Sequence, residues 1–172
     1  MLTATLAPIA QTLLPELDHE LLLTRRMLAR LPEEQFGWQP HPKSMTLGHL
    51  ASHVADLLGG IDTTLKTTEL DLATYDNPTP DASSRAELLE RLTDNGVAAS
   101  TALSNAAAED FDVLWTLRYG EQVILSQSRA DIMRHLISHM IHHRGQLSVY
   151  LRLLDVPVPY IYGPSADEAT EN

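Results

Sequence analysis

From Ile132 to Leu154 the chain carries Ile132, Leu136, His139, His143, Leu147, Tyr150 and Leu154 at steps of three and four. That spacing puts all seven on one helix face. The helix must therefore bury a seam that contains two imidazoles. Buried ring nitrogens need partners, and a metal ion shared by two histidines one turn apart supplies them; hydrogen bonding without metal is the alternative. Four of the eight histidines lie in this stretch. His135 and His139 have the same spacing as His139 and His143, so spacing alone does not choose the pair. The apolar seam favours His139 and His143, and leaves His135 and His142 on an adjacent strip, with His142 at the surface or behind the ligands. The zinc-protease pattern H-E-x-x-H is absent, since no glutamate lies between Ser138 and His143.

Three more helices are expected upstream. The first runs from about Pro15 to Leu31, with Pro15 in its first turn and Leu17, Leu21, Thr24, Leu28 and Leu31 inward. Residues 32–44 form a Pro-rich loop whose Phe36 and Trp38 pack back on the helices. The second helix starts near Ser44 or Thr46 and reaches Lys66, burying Leu47, Leu50, Val54, Leu57, Ile61 and Leu65. His53 flanks that stripe, while His49 lies further round, toward solvent. A loop over residues 70–82, punctuated by Asn77, Pro78 and Pro80, leads to a capping box at Ser84 to Glu87 and a third helix to about Ala108. Its Gly96 and small residues suit close approach to a neighbour. Residues 111–125 lack a helical period, and two short runs around Gly120 and Glu121 suit a small hairpin or an extended crossover. Ser128 opens the last helix, where Gly145 costs about 1 kcal/mol relative to alanine and points to a close helix contact. After Leu154 the chain is extended, with its last eight residues frayed.

Together these elements predict one all-α domain over residues 1–172, a four-helix bundle with a short irregular or hairpin segment before the last helix. Composition narrows the function. A formal net charge of −11 with only 12 Lys and Arg argues against a nucleic-acid surface. No run approaches the roughly 20 apolar residues of a membrane helix, and the first residues do not read as a signal peptide, so a cytoplasmic protein is expected. With no cysteine, disulfides and thiolate ligands are excluded.

Bundles build metal sites from side chains on facing helices. His53 is then available as a third imidazole beside His139 and His143. Three neutral imidazoles leave one side of a divalent ion open, as in catalytic sites. Arg144 and Gln146 flank the ligand turn. Either can orient an imidazole, a carbonyl or an anionic substrate, with bracing the favoured role for both. Trp38, Tyr160 and Tyr162 are expected to pack, with lining of the open side as the alternative.

Three stretches, ARLPEEQFGWQPHPKS at 29–44, MTLGHLASHVADL at 45–57 and HLISHMIHHRGQLSVYLRLLDVPVP at 135–159, occur in the order found in the DinB-like (damage-inducible, YfiT-type) helical bundles, and the chain resembles that family over nearly its whole length. The resemblance implies a four-helix bundle holding a divalent metal, nickel or zinc, on His53, His139 and His143. His49 falls at a variable position, as a local addition beside the ligands. The resemblance also implies a homodimer. Relatives include transferases that use a low-molecular-weight thiol, and hydrolases, so a small-molecule substrate is expected, with water or such a thiol activated toward a small electrophile. No residue is assigned as catalytic. A non-catalytic metal-binding stress-response bundle is the alternative, in which the ion only holds the helices together.

Overall fold

Five helices and a three-stranded sheet make up the computed structural model of the protein, which describes residues 6–75 and 80–169. The helices are α1 (Pro8–Leu28), α2 (Leu47–Asp56), α3 (Gly59–Lys66), α4 (Arg85–Asn105) and α5 (Arg129–Leu153). Strands β1 (Glu69–Asp71), β2 (Leu114–Tyr119) and β3 (Gln122–Ser128) form the sheet. The architecture is a four-membered bundle whose second member is broken into α2 and α3, with α4 and α5 each packing on α1 and on that broken member. The all-α expectation is thus corrected: β1 lies within the segment expected to be a loop and pairs parallel with β2, while β2 and β3 form the expected hairpin. Asn77 and Pro78 lie outside the described residues.

Each departure has a local cause. α1 starts a turn and more before the expected Pro15, because Pro8 occupies its first turn and Ala10 and Leu13 extend the buried stripe of Leu17, Thr24 and Leu28. Pro15 thus sits inside α1, and the carbonyl it leaves free belongs to the exposed Gln11. α2 begins at Thr46, whose hydroxyl accepts from the His49 N–H. The break falls at Leu57 and Leu58, and α3 restarts on Gly59 and Gly60, which are poor helix formers. Their missing side chains also admit neighbours: a Cβ on Gly59 would meet Asn95 Oδ1 at 2.7 Å, and one on Gly60 would meet Leu136 at 3.1 Å. Gly96 makes the close approach expected of it, against Leu21 of α1. Gly145 does not. It is exposed and a Cβ there would meet nothing within 4 Å, so no close contact explains it.

The hairpin turns at Gly120, in the left-handed region at φ 58°, and the Gly120 N–H donates to Asp71 Oδ1 at 2.9 Å, tying the turn to β1. Loop residues fasten α2 to α5: the Leu47 N–H donates to the Trp38 carbonyl, Trp38 packs edge-on to Tyr150, and the Tyr150 hydroxyl donates to the Met45 carbonyl. Residues 165–168 are not frayed. Asp167 pairs with Arg152, Glu168 pairs with Arg30, and the Val158 and Tyr160 N–H groups donate to these two carboxylates. Among the described residues no helix is long and apolar enough to cross a membrane.

The deepest charge in the fold is Arg144, 2% exposed, which pairs with Glu20 of α1 at 2.6 Å and donates to Thr24 Oγ1 and Tyr162 Oη. The Tyr162 hydroxyl in turn donates to Glu20, which pins the tail over this pair. Removing one partner leaves the other charge buried and unpaired, a cost of about 3–5 kcal/mol. Arg144→Met should lower the urea midpoint by that amount of stability, and the double variant Arg144→Met with Glu20→Leu should recover most of it; chemical denaturation checks both.

Candidate metal centre

His53 reaches α5 from the flank of the α2 stripe, where Leu50 and Leu57 are buried against the core. Its ring centroid lies 5.1 Å from that of His139 and 4.8 Å from that of His143, and the two α5 rings are 4.6 Å apart. One nitrogen from each of the three rings falls within 4.8 Å of the others. Among the described residues these three form one group able to hold a metal ion, and no fourth histidine or carboxylate joins them.

The protonation of the group is set by its surroundings. Burial, followed by the neighbouring His143, His139 and His49, pushes His53 down from 6.5 to about 4. Burial likewise lowers His139, with His143, His135 and His142 adding to it. Burial and the neighbouring rings thus favour the neutral form of His53 and His139. Gln146 orients the His143 ring: its Oε1 lies 2.7 Å from His143 Nδ1, which turns Nε2 toward His139 Nε2 at 2.8 Å. The same Gln146 amide donates to His142 Nε2 at 3.3 Å, which keeps its own orientation fixed. Neutral imidazoles with one ring nitrogen tied back by a hydrogen bond fit a divalent ion such as zinc or nickel.

The other residues singled out by the sequence fall elsewhere. His49 is exposed and pairs with Asp81 at 2.9 Å. His142 is exposed beside His143. Arg144, next in sequence to His143, points the opposite way and braces α1. Trp38 packs on Tyr150, and Tyr162 lies over Arg144 at 5.2 Å.

A cleft of ≈ 630 Å³ opens beside the histidines, lined by both His53 and His139, while His143 lies behind them, 8% exposed. Its walls come from α3, from Ile132 and Leu136 of α5, and from Trp115, Leu117 and Leu125 of the hairpin. His135 lines it too, 5.6 Å from His139 between ring centroids, although the seam leaves that residue outside the ligand set. The sequence reading did not reach Asp56 and Asn95, the polar groups at one side of this cleft. Asp56 lies three residues after His53 and was within reach of a helical-face argument; Asn95 depends on how α4 packs and left no signal.

Comparison with known proteins places these features in context. A sequence model described as the DinB family matches residues 1–172. The chain is 27% identical over 149 residues to YrdA of Bacillus subtilis strain 168, an uncharacterised protein, covering 84% of this chain and 83% of that one. A DinB-like protein from Bacillus cereus ATCC 10987 has a similar structure, with a TM-score of 0.68 at 23% identity over 87% of this chain and 95% of that one. The DinB-like YjoA of Bacillus subtilis gives 0.67 at 14% identity, over 87% and 97%. At these identities the structural likeness shows the fold alone.

The depressed pKa of His53 has a consequence for stability. The unfolded chain takes up a proton near 6.5 and the folded chain only near 4, so the unfolded state binds more protons in between. The stability tied to neutral His53 is complete above 6.5 and is lost as pH falls toward 4. Urea midpoints of the metal-free protein should stay level above pH 7 and decline from pH 6.5 to 5, and His53→Gln should flatten that decline.

Proposed function

The chain belongs to the DinB family, and on that premise we propose a metal-dependent enzyme that activates water or a low-molecular-weight thiol toward a small electrophile. The observation that carries this reading is that His53 and His139 belong at once to the ligand group and to the wall of the cleft. A divalent ion held by these histidines would lower the pKa of a water or thiol and so supply a nucleophile at neutral pH. The remaining work falls to the chain. His53, His139 and His143 present ring nitrogens to one point, Gln146 holds the orientation of the His143 ring, and the cleft brings a substrate beside the group. Zinc or nickel is the proposed metal, as imidazole donors suit both.

A purely structural site is the rival, and the geometry supports it less. Such sites are closed by four protein ligands, whereas three meet here among the described residues and a cleft adjoins them. Chelation should therefore strip the metal and leave the helical content and cooperative unfolding in place; collapse of the fold on chelation favours the rival.

Elemental analysis of the purified protein should find one nickel or zinc per chain, and His53→Ala, His139→Ala and His143→Ala should each abolish it. Occupancy that survives two of the three changes contradicts the assignment. Gln146→Leu, which frees the His143 ring to flip, should weaken metal affinity by roughly 10–100-fold in a chelator competition, with the fold unchanged.

A further inference from the structure

The cleft beside the histidines is selective in its own right. No lysine or arginine lines it among the described residues, and the one carboxylate there, Asp56, is already engaged by Arg91 at 3.5 Å and by the Asn95 amide at 3.4 Å. Leu117 and Leu125, directly opposite each other across β2 and β3, form one wall, and Ile132 and Leu136, one turn apart on α5, lie across from them. Away from the histidine end, an anionic group in this space would lose its hydration with no cationic side chain lining the cleft, among the described residues, to replace the water. The net charge of −11 adds repulsion before it arrives. An uncharged apolar group, in contrast, gains by leaving water for the two leucine-rich walls.

We propose that the cleft holds the uncharged aliphatic or aromatic group of the substrate, with the reactive polar end at His53 and His139, so that the enzyme acts on neutral apolar electrophiles and discriminates against organic anions. This rests on the metal-dependent reading above and adds the substrate class. Its size is that of a pocket for a drug-sized molecule, so the apolar group can be as long as a medium-length alkyl chain. Leu125, half-buried on β3, supplies apolar surface to the cleft and belongs neither to the histidine group nor to the buried core cluster.

Hydroxamic acids separate the metal from the cleft, because each chelates zinc through the same head whatever its tail. Binding of acetohydroxamic acid, octanohydroxamic acid and suberic monohydroxamic acid, the last of the same length as the second but ending in a carboxylate, is measured by calorimetry on the zinc-loaded full chain. Octanohydroxamate should bind at least about tenfold tighter than acetohydroxamate, as burial of a few methylenes requires, and the carboxylate-tailed probe should lose that gain. Leu125→Lys, with zinc content and helicity checked, should shrink the advantage of the octyl tail and strengthen the carboxylate-tailed probe. Equal affinities for the acetyl and octyl probes, or a carboxylate-tailed probe as tight as the octyl one, overturn the cleft proposal while leaving the metal site standing. If none of the three binds, the metal-dependent reading itself fails. The comparison on the unmodified chain decides the matter even where the variant does not fold.

Discussion

Everything in this protein turns on the contact between α2 and α5, where three partly buried imidazoles are held against one another. Rings so placed disfavour the charged form, which is why His53 stays neutral down to about pH 4. That neutrality is costly as a mere packing solution, since leucine would fill the space without a titration penalty. It is useful where the lone pairs have something to bind. The fold enforces the contact from several sides. Trp38 and Tyr150 clamp the start of α2 to the end of α5, and the glycines that open α3 let Leu136 and Asn95 close in on it.

Adjacent residues on α5 divide the work. His143 faces the cluster and is held by Gln146, while Arg144, about 100° further round the helix, runs to Glu20 and Thr24 of α1 and to Tyr162 of the tail. One turn of helix thus fixes the His143 ring on one side and anchors the whole helix on the other. The hairpin does something different: it closes the side of the bundle next to His139 and turns an exposed pair of ligands into the base of a cleft. Without β2 and β3 the histidines would still meet, but nothing would shape what reaches them.

Much of this was legible before the fold was seen, because helical periodicity carries side-chain direction. The seam through Leu136, His139, His143 and Leu147 identified the inward pair on α5, and the flank position of His53 placed the third ring on the facing helix, which the structure brings to them. The capping serines at 84 and 128 mark the starts of α4 and α5. What escaped was non-local. The strand Glu69–Asp71 is too short to show a period, and its partner lies beyond an entire helix. The break at Leu57 and Leu58 was hidden because Val54, Leu57 and Ile61 keep helical spacing across it. The tail read as polar and loose, yet its Asp167 and Glu168 find Arg152 on α5 and Arg30 in the turn after α1. Pairings of that kind are set by tertiary packing, and local sequence does not announce them.

The claim on which the rest stands is that His53, His139 and His143 share one ion when the helices close. Anomalous diffraction at the zinc or nickel edge from crystals of the metal-loaded protein addresses it directly. One strong peak at about 2.0–2.1 Å from a ring nitrogen of each of the three histidines, on the side facing the cleft, is the result this account predicts. A peak bound instead through His135 or His142, or none between α2 and α5, would contradict it.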